Sequence, residues 1–235
     1  MEECRRHRRR NHRVVLLNRI EDEIEKYKET WGLEEDISLW MDGKGKFKRV
    51  FSSRETWEII RERHAPCSWS TVVWFKHATP KFSFILWMAM HDRLSTGDHM
   101  RFWNENVDTS CVLCQDPIET KEHLFFECSF STLIWQKLME RLLGNEFTVK
   151  WEELIVLCTR AVRTEIQRFI VKYALQLTAY SIWRERNKMR HGETALSHDL
   201  LTTMIEKDMR NRLYTIQRQG DSDLEGGLRY WFSTR

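Results

Sequence analysis

Between residues 14 and 35 apolar positions recur at helical spacing, with Ile20, Ile24, Tyr27 and Trp31 set among Glu, Asp and Lys. This predicts an exposed amphipathic helix with little commitment to a core. From 36 to 63 the period shortens. Ile37-Ser-Leu-Trp-Met, the Asp42-Gly43 turn and then Phe47, Val50 and Phe51 predict a short hairpin. Ser52 stands three residues before Glu55, so a capped helix through Trp57 and Ile60 is expected to run to about residue 63. The stretch 68–143 is the densest in Trp and Phe. It predicts a helix over 69–74, a second opened by Pro80 and apolar nearly all round to residue 90, a shorter one over 98–103, and one through Leu133, Ile134, Trp135, Leu138 and Leu142 that Gly144 stops. Two or three long helices follow, over 151 to about 164, 166 to about 188 and 197 to about 218. The last carries Leu201, Met204, Ile205, Met209, Leu213 and Ile216 on one side. The Gly-rich, charged end after Gly220 reads as frayed.

Composition narrows the class. Nine Gly and three Pro in 235 residues disfavour collagen-like, disordered or turn-rich all-β chains, which leaves a mainly α protein. The longest apolar run, 82–90, is too short to span a bilayer, and the start lacks a signal-peptide apolar region, so a soluble intracellular protein is expected. The net charge of +3 implies little by itself. Its distribution implies more: six arginines within residues 1–13 against two glutamates make that arm +4, leaving −1 for everything else.

Three of the six cysteines and one of the nine histidines fall within 18 residues, as Cys111-x2-Cys114-x8-His123-x4-Cys128. Cys-x2-Cys places two thiolates on one ion while backbone N–H groups point at the sulfurs, and a short helix can supply the other pair. Four protein donors leave no open position for water, the pattern of one structural zinc ion rather than a catalytic one. A thioredoxin-like redox pair would need a strand-to-helix setting that the flanks do not supply. His91 and His99 are nearby spare donors but read as surface histidines. Cys4, Cys67 and Cys158 read as core or incidental thiols.

The segment 107–128 carries five acids against Lys121, net −4, and a surface that negative repels phosphate. Zinc is therefore expected to staple the fold, with Leu124, Phe125 and Phe126 docking onto flanking helices, and nucleic acid to bind elsewhere. Its candidate residues are Arg5, Arg6, Arg8, Arg9 and Arg10 of the arm, with Lys44, Lys46, Lys48, Arg49 and Arg54 in or beside the hairpin. Lys44, Lys46 and Lys48 alternate, so on one strand all three would face the same way. A solvated lysine face explains them as well. A third patch, 183–190, is +3 at the end of a helix, where helix capping explains it almost as well. No Gly-rich phosphate loop, nucleophile elbow, His-Glu-x-x-His or clustered Asp pair is present, so no catalytic residue is assigned.

Pro80-Lys-Phe-Ser-Phe-Ile-Leu-Trp-Met-Ala, Arg93-Leu-Ser-Thr-Gly-Asp, Cys111-Val-Leu-Cys, Glu119-Thr, His123-Leu-Phe-Phe, Cys128 and Trp135 together resemble the zinc-binding domain that follows the reverse transcriptase in plant LINE-type (non-LTR) retrotransposons. Phe51-Ser-Ser-Arg-Glu-Thr-Trp, Trp74-Phe and Ile182-Trp-Arg-Glu-Arg-Asn are similar to flanking segments of the same polyproteins. The resemblance covers roughly 36–190 and implies that Cys111, Cys114, His123 and Cys128 bind zinc. No polymerase, endonuclease or ribonuclease H residues accompany it, which suggests a module separated from its polymerase.

The expected molecule is a mainly α helical module with a small β-hairpin and one zinc-stapled loop and helix segment. Its divisions are a basic arm and exposed helix (1–35), the hairpin and zinc-binding domain (36–145, core 74–135), C-terminal helices (146–220) and a tail (221–235). Expected partners are RNA or DNA, or else a protein or a second copy through the C-terminal helices. No membrane and no small-molecule substrate is expected, and the arginine-rich start favours the nucleus over the cytoplasm.

Overall fold

The structure is a computed structural model that describes residues 9–27, 37–62, 64–65, 67–160 and 163–235. Cys4, Arg5, Arg6, Arg8 and Trp31 lie outside the described residues. The chain forms two compact units, 1–64 and 65–235.

The first unit contains helix α1 (Val15–Tyr27), strands β1 (Trp40–Met41) and β2 (Phe47–Lys48), and helix α2 (Ser53–Ile60). The strands pair antiparallel, Trp40 opposite Lys48 and Met41 opposite Phe47. Asp42 makes the turn: its carboxylate accepts from the backbone N–H of Lys44 and of Lys46, both at 2.9 Å, while Gly45 takes a positive φ of 75°. Both hydrogen bonds pull the Asp42 pKa below the usual carboxylate value. Ser52 caps α2 by accepting from Glu55 N–H at 3.3 Å, but the Glu55 carboxylate turns to Lys48 instead of back to Ser52, so half of the expected capping box forms. That helix ends at Ile60, three residues before the expected end.

The second unit is built around a 26-residue helix, α8 (Glu165–Arg190). A complete capping box starts it, Thr164 Oγ1 accepting from Gln167 N–H and the Gln167 side chain accepting from Thr164 N–H. Helices α3 (Ser70–Val73), α4 (Pro80–Met90), α6 (Ser129–Leu143), α7 (Trp151–Thr159), α9 (His198–Arg218) and α10 (Gly227–Ser233) all pack against it, and α5 (Gly97–Met100) joins α4 to the cysteine loop. Pro80 occupies the first turn of α4, where its missing N–H leaves no gap. Sequence alone makes α4 apolar all round, yet only Phe82, Ser83, Leu86 and Ala89 are buried; Phe84 faces solvent. One polar residue inside the core is accounted for by hydrogen bonds. Gln176 of α8 donates to the carbonyls of Val72 and Val73 at 3.0 and 2.8 Å, closing the C-terminal end of α3, and accepts from Ser83.

Three expectations change here. α7 ends at Thr159 rather than near 164, because Thr164 starts the next helix. No structural division falls at 145: α8 completes the core under the cysteine segment, so 146–235 belongs with 65–145. The end after Gly220 is docked and not frayed. Asp221 opens a 3-10 turn, Leu224 and Trp231 are buried, and Gly227 fits closely against Leu213. Two large apolar residues are enough here because Leu224 and Trp231 are both buried where the tail meets α8 and α9.

Candidate metal centre

Cys111 and Cys114 stand on a tight loop. Gln115 N–H donates to the Cys111 carbonyl at 2.7 Å, and Cys111 N–H donates to Asp116 O at 2.8 Å. Gln115 takes a φ of +66° to close it. His123 and Cys128 come from a π-helical turn, His123–Glu127, closed by Cys128 N–H donating to His123 O at 2.6 Å. The π geometry has a physical purpose. Residues five apart on an α-helix diverge by about 140°, whereas an i→i+5 turn brings them back onto one side. Ser131 and Thr132 of α6 donate to the turn's carbonyls of Leu124 and Phe126, both at 2.6 Å. Leu124, Phe125 and Phe126 are fully buried, with Phe126 edge-on to Trp135 at 5.1 Å and Phe125 stacked on Trp151 at 5.9 Å. This is the docking expected of the staple.

One donor atom from each of Cys111, Cys114, His123 and Cys128 lies within 4.8 Å of the others. Zn–S and Zn–N bonds at tetrahedral angles require S···S separations of about 3.8 Å and S···N separations of about 3.6 Å. Cys111 Sγ is 3.9 Å from Cys128 Sγ, and Cys114 Sγ is 3.2 Å from His123 Nε2. Three thiols and an imidazole at this spacing fit one zinc ion with a full set of protein donors. Cys111 donates to Cys128, which with burial pushes the Cys111 thiol well above its ordinary range and pulls Cys128 below it; burial also raises Cys114. A cation displaces that shared proton.

The loop is anchored from behind by residues that charge counting misplaces. Glu119, one of the five acids of the segment, is completely buried. Its carboxylate accepts from Arg186 Nε and Nη2 at 3.0 and 2.6 Å, and from Gly97 N–H at 3.2 Å. Arg186 also donates to Ser95 O. One turn along α8, Arg190 donates to the carbonyls of Asp108 and Ser110 at 2.8 and 2.6 Å. Two arginines of the 183–190 patch therefore hold the zinc loop, and neither helix capping nor phosphate explains them. Gly97 is required by the same packing, since a Cβ there would collide with the Thr109 carbonyl. Gly97, Glu119 and Arg186 all lie in the motifs quoted above, but nothing in those motifs pairs them.

The spare donors are engaged elsewhere. His99 bonds Leu94 O through Nδ1 at 2.8 Å and Asp92 through Nε2 at 3.2 Å, and His91 meets Trp69 and Trp87 edge-on. Cys67 is exposed, and Cys158 is buried with its thiol pushed up to about 12 by desolvation.

Of the basic residues, Arg9 pairs with Asp22 and Arg10 is exposed, while Arg5, Arg6 and Arg8 lie outside the described residues. The hairpin departs from expectation. Strand β2 covers only Phe47–Lys48, so Lys44 and Lys46 stand in the turn and the three lysines do not line one strand face. Lys48 is held by Asp42 at 3.1 Å and Glu55 at 3.2 Å. Lys44, Lys46, Arg49 and Arg54 are exposed, without an ion pair among the described residues.

Residues 51–135 match the family described as zinc-binding in reverse transcriptase, a span that includes all four donors. No curated protein and no solved structure matches the chain. No described helix is long and apolar enough to cross a membrane.

Proposed function

We propose, on the premise that residues 51–135 are a zinc-binding domain of the reverse-transcriptase kind, that this chain is a non-enzymatic module whose zinc is structural and which binds RNA or DNA as an accessory to a polymerase. The observation that carries the structural role is the complete set of four protein donors, which leaves the metal no position for water or substrate. The nucleic-acid role is supported by the exposed cations Lys44, Lys46, Arg49 and Arg54 and by the arginine arm. The source we propose is a plant LINE-type polyprotein, and the compartment the nucleus.

Titration of zinc-loaded protein with single-stranded RNA over a salt series tests this reading. Each phosphate contact contributes about −0.7 to the slope of log K against log salt. Replacing Lys44, Lys46, Arg49 and Arg54 by Gln should flatten that slope by up to about 3. No binding at low salt overturns the nucleic-acid role.

A second reading, a protein-interaction scaffold, is favoured by Phe102 and Trp103, 74% and 73% exposed on the turn after α5. It predicts a mass by light scattering that rises with concentration and falls to the monomer on Phe102→Ser and Trp103→Ser.

A further inference from the structure

The outward side of α4 is aromatic. Phe84, Trp87 and His91 recur at i, i+3 and i+7, and Trp69 joins them from the segment before α3. Phe84 stacks on Trp87 with centroids 5.9 Å apart and planes 30° apart. Trp87 meets His91 at 4.9 Å, and His91 meets Trp69 at 5.3 Å. Phe84 is 53% exposed, His91 is exposed, and the two tryptophans are half-buried. Trp69 and Trp87 also pack against the core and keep part of each ring exposed, while α4 meets α8 through its opposite side, Phe82, Ser83, Leu86 and Ala89.

Charge indicates the occupant. Residues 65–91 contain no Asp or Glu, in a chain with 35 of them. Lys81 lies at the start of the stripe and Arg93 just beyond its end. Neither has a carboxylate partner among the described residues, and Lys81 is oriented by the Phe82 and Tyr180 rings, each 5.2 Å from its Nζ. From Phe84 to His91 the helix rises about 10 Å, the length of about three stacked bases. Flat π surfaces between Lys81 and Arg93, where Asp92 is the one acid and is itself paired with His99 and Lys121, suit a ligand that is itself planar, repeating and anionic.

We infer that the Trp69, Phe84, Trp87 and His91 stripe is a stacking platform for single-stranded nucleic acid, with Lys81 and Arg93 meeting the phosphates on either side. This rests on the nucleic-acid reading above and adds to it where bases are held. Because stacking is insensitive to salt, the platform supplies the affinity that remains when the hairpin cations are screened.

The test uses the full zinc-loaded chain, a fluorescein-labelled oligouridylate and an abasic phosphodiester chain of equal length. Anisotropy is read at low and at high salt, and tryptophan emission follows each titration. The platform predicts that at high salt the base-bearing strand binds at least about fivefold more tightly than the abasic one, the lower end of the stacking range per base. It predicts that only the base-bearing strand quenches tryptophan, and that Phe84→Ser with Trp87→Ser removes the difference while zinc content and helical circular dichroism stay unchanged. Equal binding of the two strands by the wild-type protein overturns the platform and leaves the hairpin reading standing; this comparison needs no variant. A double variant that loses self-association while keeping its base preference also overturns it, assigning the stripe to protein contact. Failure of both strands to bind at low salt overturns the broader nucleic-acid reading as well.

Discussion

At the scale of single residues, Glu119 and Arg186 show how a pair of charges can be structural while looking like surface. Side-chain exposure is 0% for Glu119 and 3% for Arg186, and together they connect the cysteine loop, the α4–α5 turn and α8. Removing Arg186 leaves the buried Glu119 carboxylate with only the Gly97 N–H and a 3.9 Å contact to Arg190. Arg186→Met should cost about 3–5 kcal/mol, read as a shift of the urea midpoint. Combining Glu119→Gln with Arg186→Met should cost less than Arg186→Met alone, because no uncompensated charge is left. The four metal donors were readable from spacing because the requirement is local: two short loops on one ion. Arg186 was not, since a residue 67 positions from its partner leaves only a charge in the sequence, and a count of charges has no direction.

At the scale of elements, helix starts were legible and ends less so. Ser52, Pro80 and Ser197 mark starts by local chemistry, and the structure places helices directly after or at each. The tail shows the opposite case. Its loose composition hides a docked helix, and the 3-10 turn that leads into it is opened by Asp221, whose Oδ2 lies 2.6 Å from both Lys76 and His77. The hydrogen bond from Lys76, then that from His77, hold the Asp221 carboxyl well below the usual carboxylate range. An unfolded aspartate titrates near about 3.9, so this stabilisation is complete above that pH and is lost as pH falls through the native value. Protection of the α10 amides, taken relative to the intrinsic exchange rate at each pH, should therefore fall on acidification below about pH 4. Asp221→Asn should exchange faster at neutral pH and lose that acid dependence.

At the scale of the whole molecule, the match to 51–135 and the compact unit 65–235 differ in extent. The buried face of the π-helical turn meets α6 and α8, and α4 lies along α8. A fragment spanning 65–235 should fold cooperatively and bind one zinc ion per chain by metal analysis. A fragment spanning 65–145 should lack dispersed amide resonances even with zinc present, because Phe82, Leu86 and Leu124 would lose the α8 surface that covers them. A well-dispersed spectrum for the shorter fragment would show that the zinc segment is autonomous.

The sequence by itself determined what depends on near neighbours: the mainly helical class, the hairpin turn at Asp42-Gly43, the caps, and a closed Cys-Cys-His-Cys set for zinc. Tertiary structure alone decided what depends on direction and distant partners. It turned one side of an all-apolar α4 outward as a row of rings, buried Glu119 against Arg186, and drew the last helix into the core. Periodicity reports which side of a helix differs from the other. When both sides are apolar, only the neighbour that packs there settles which one is covered.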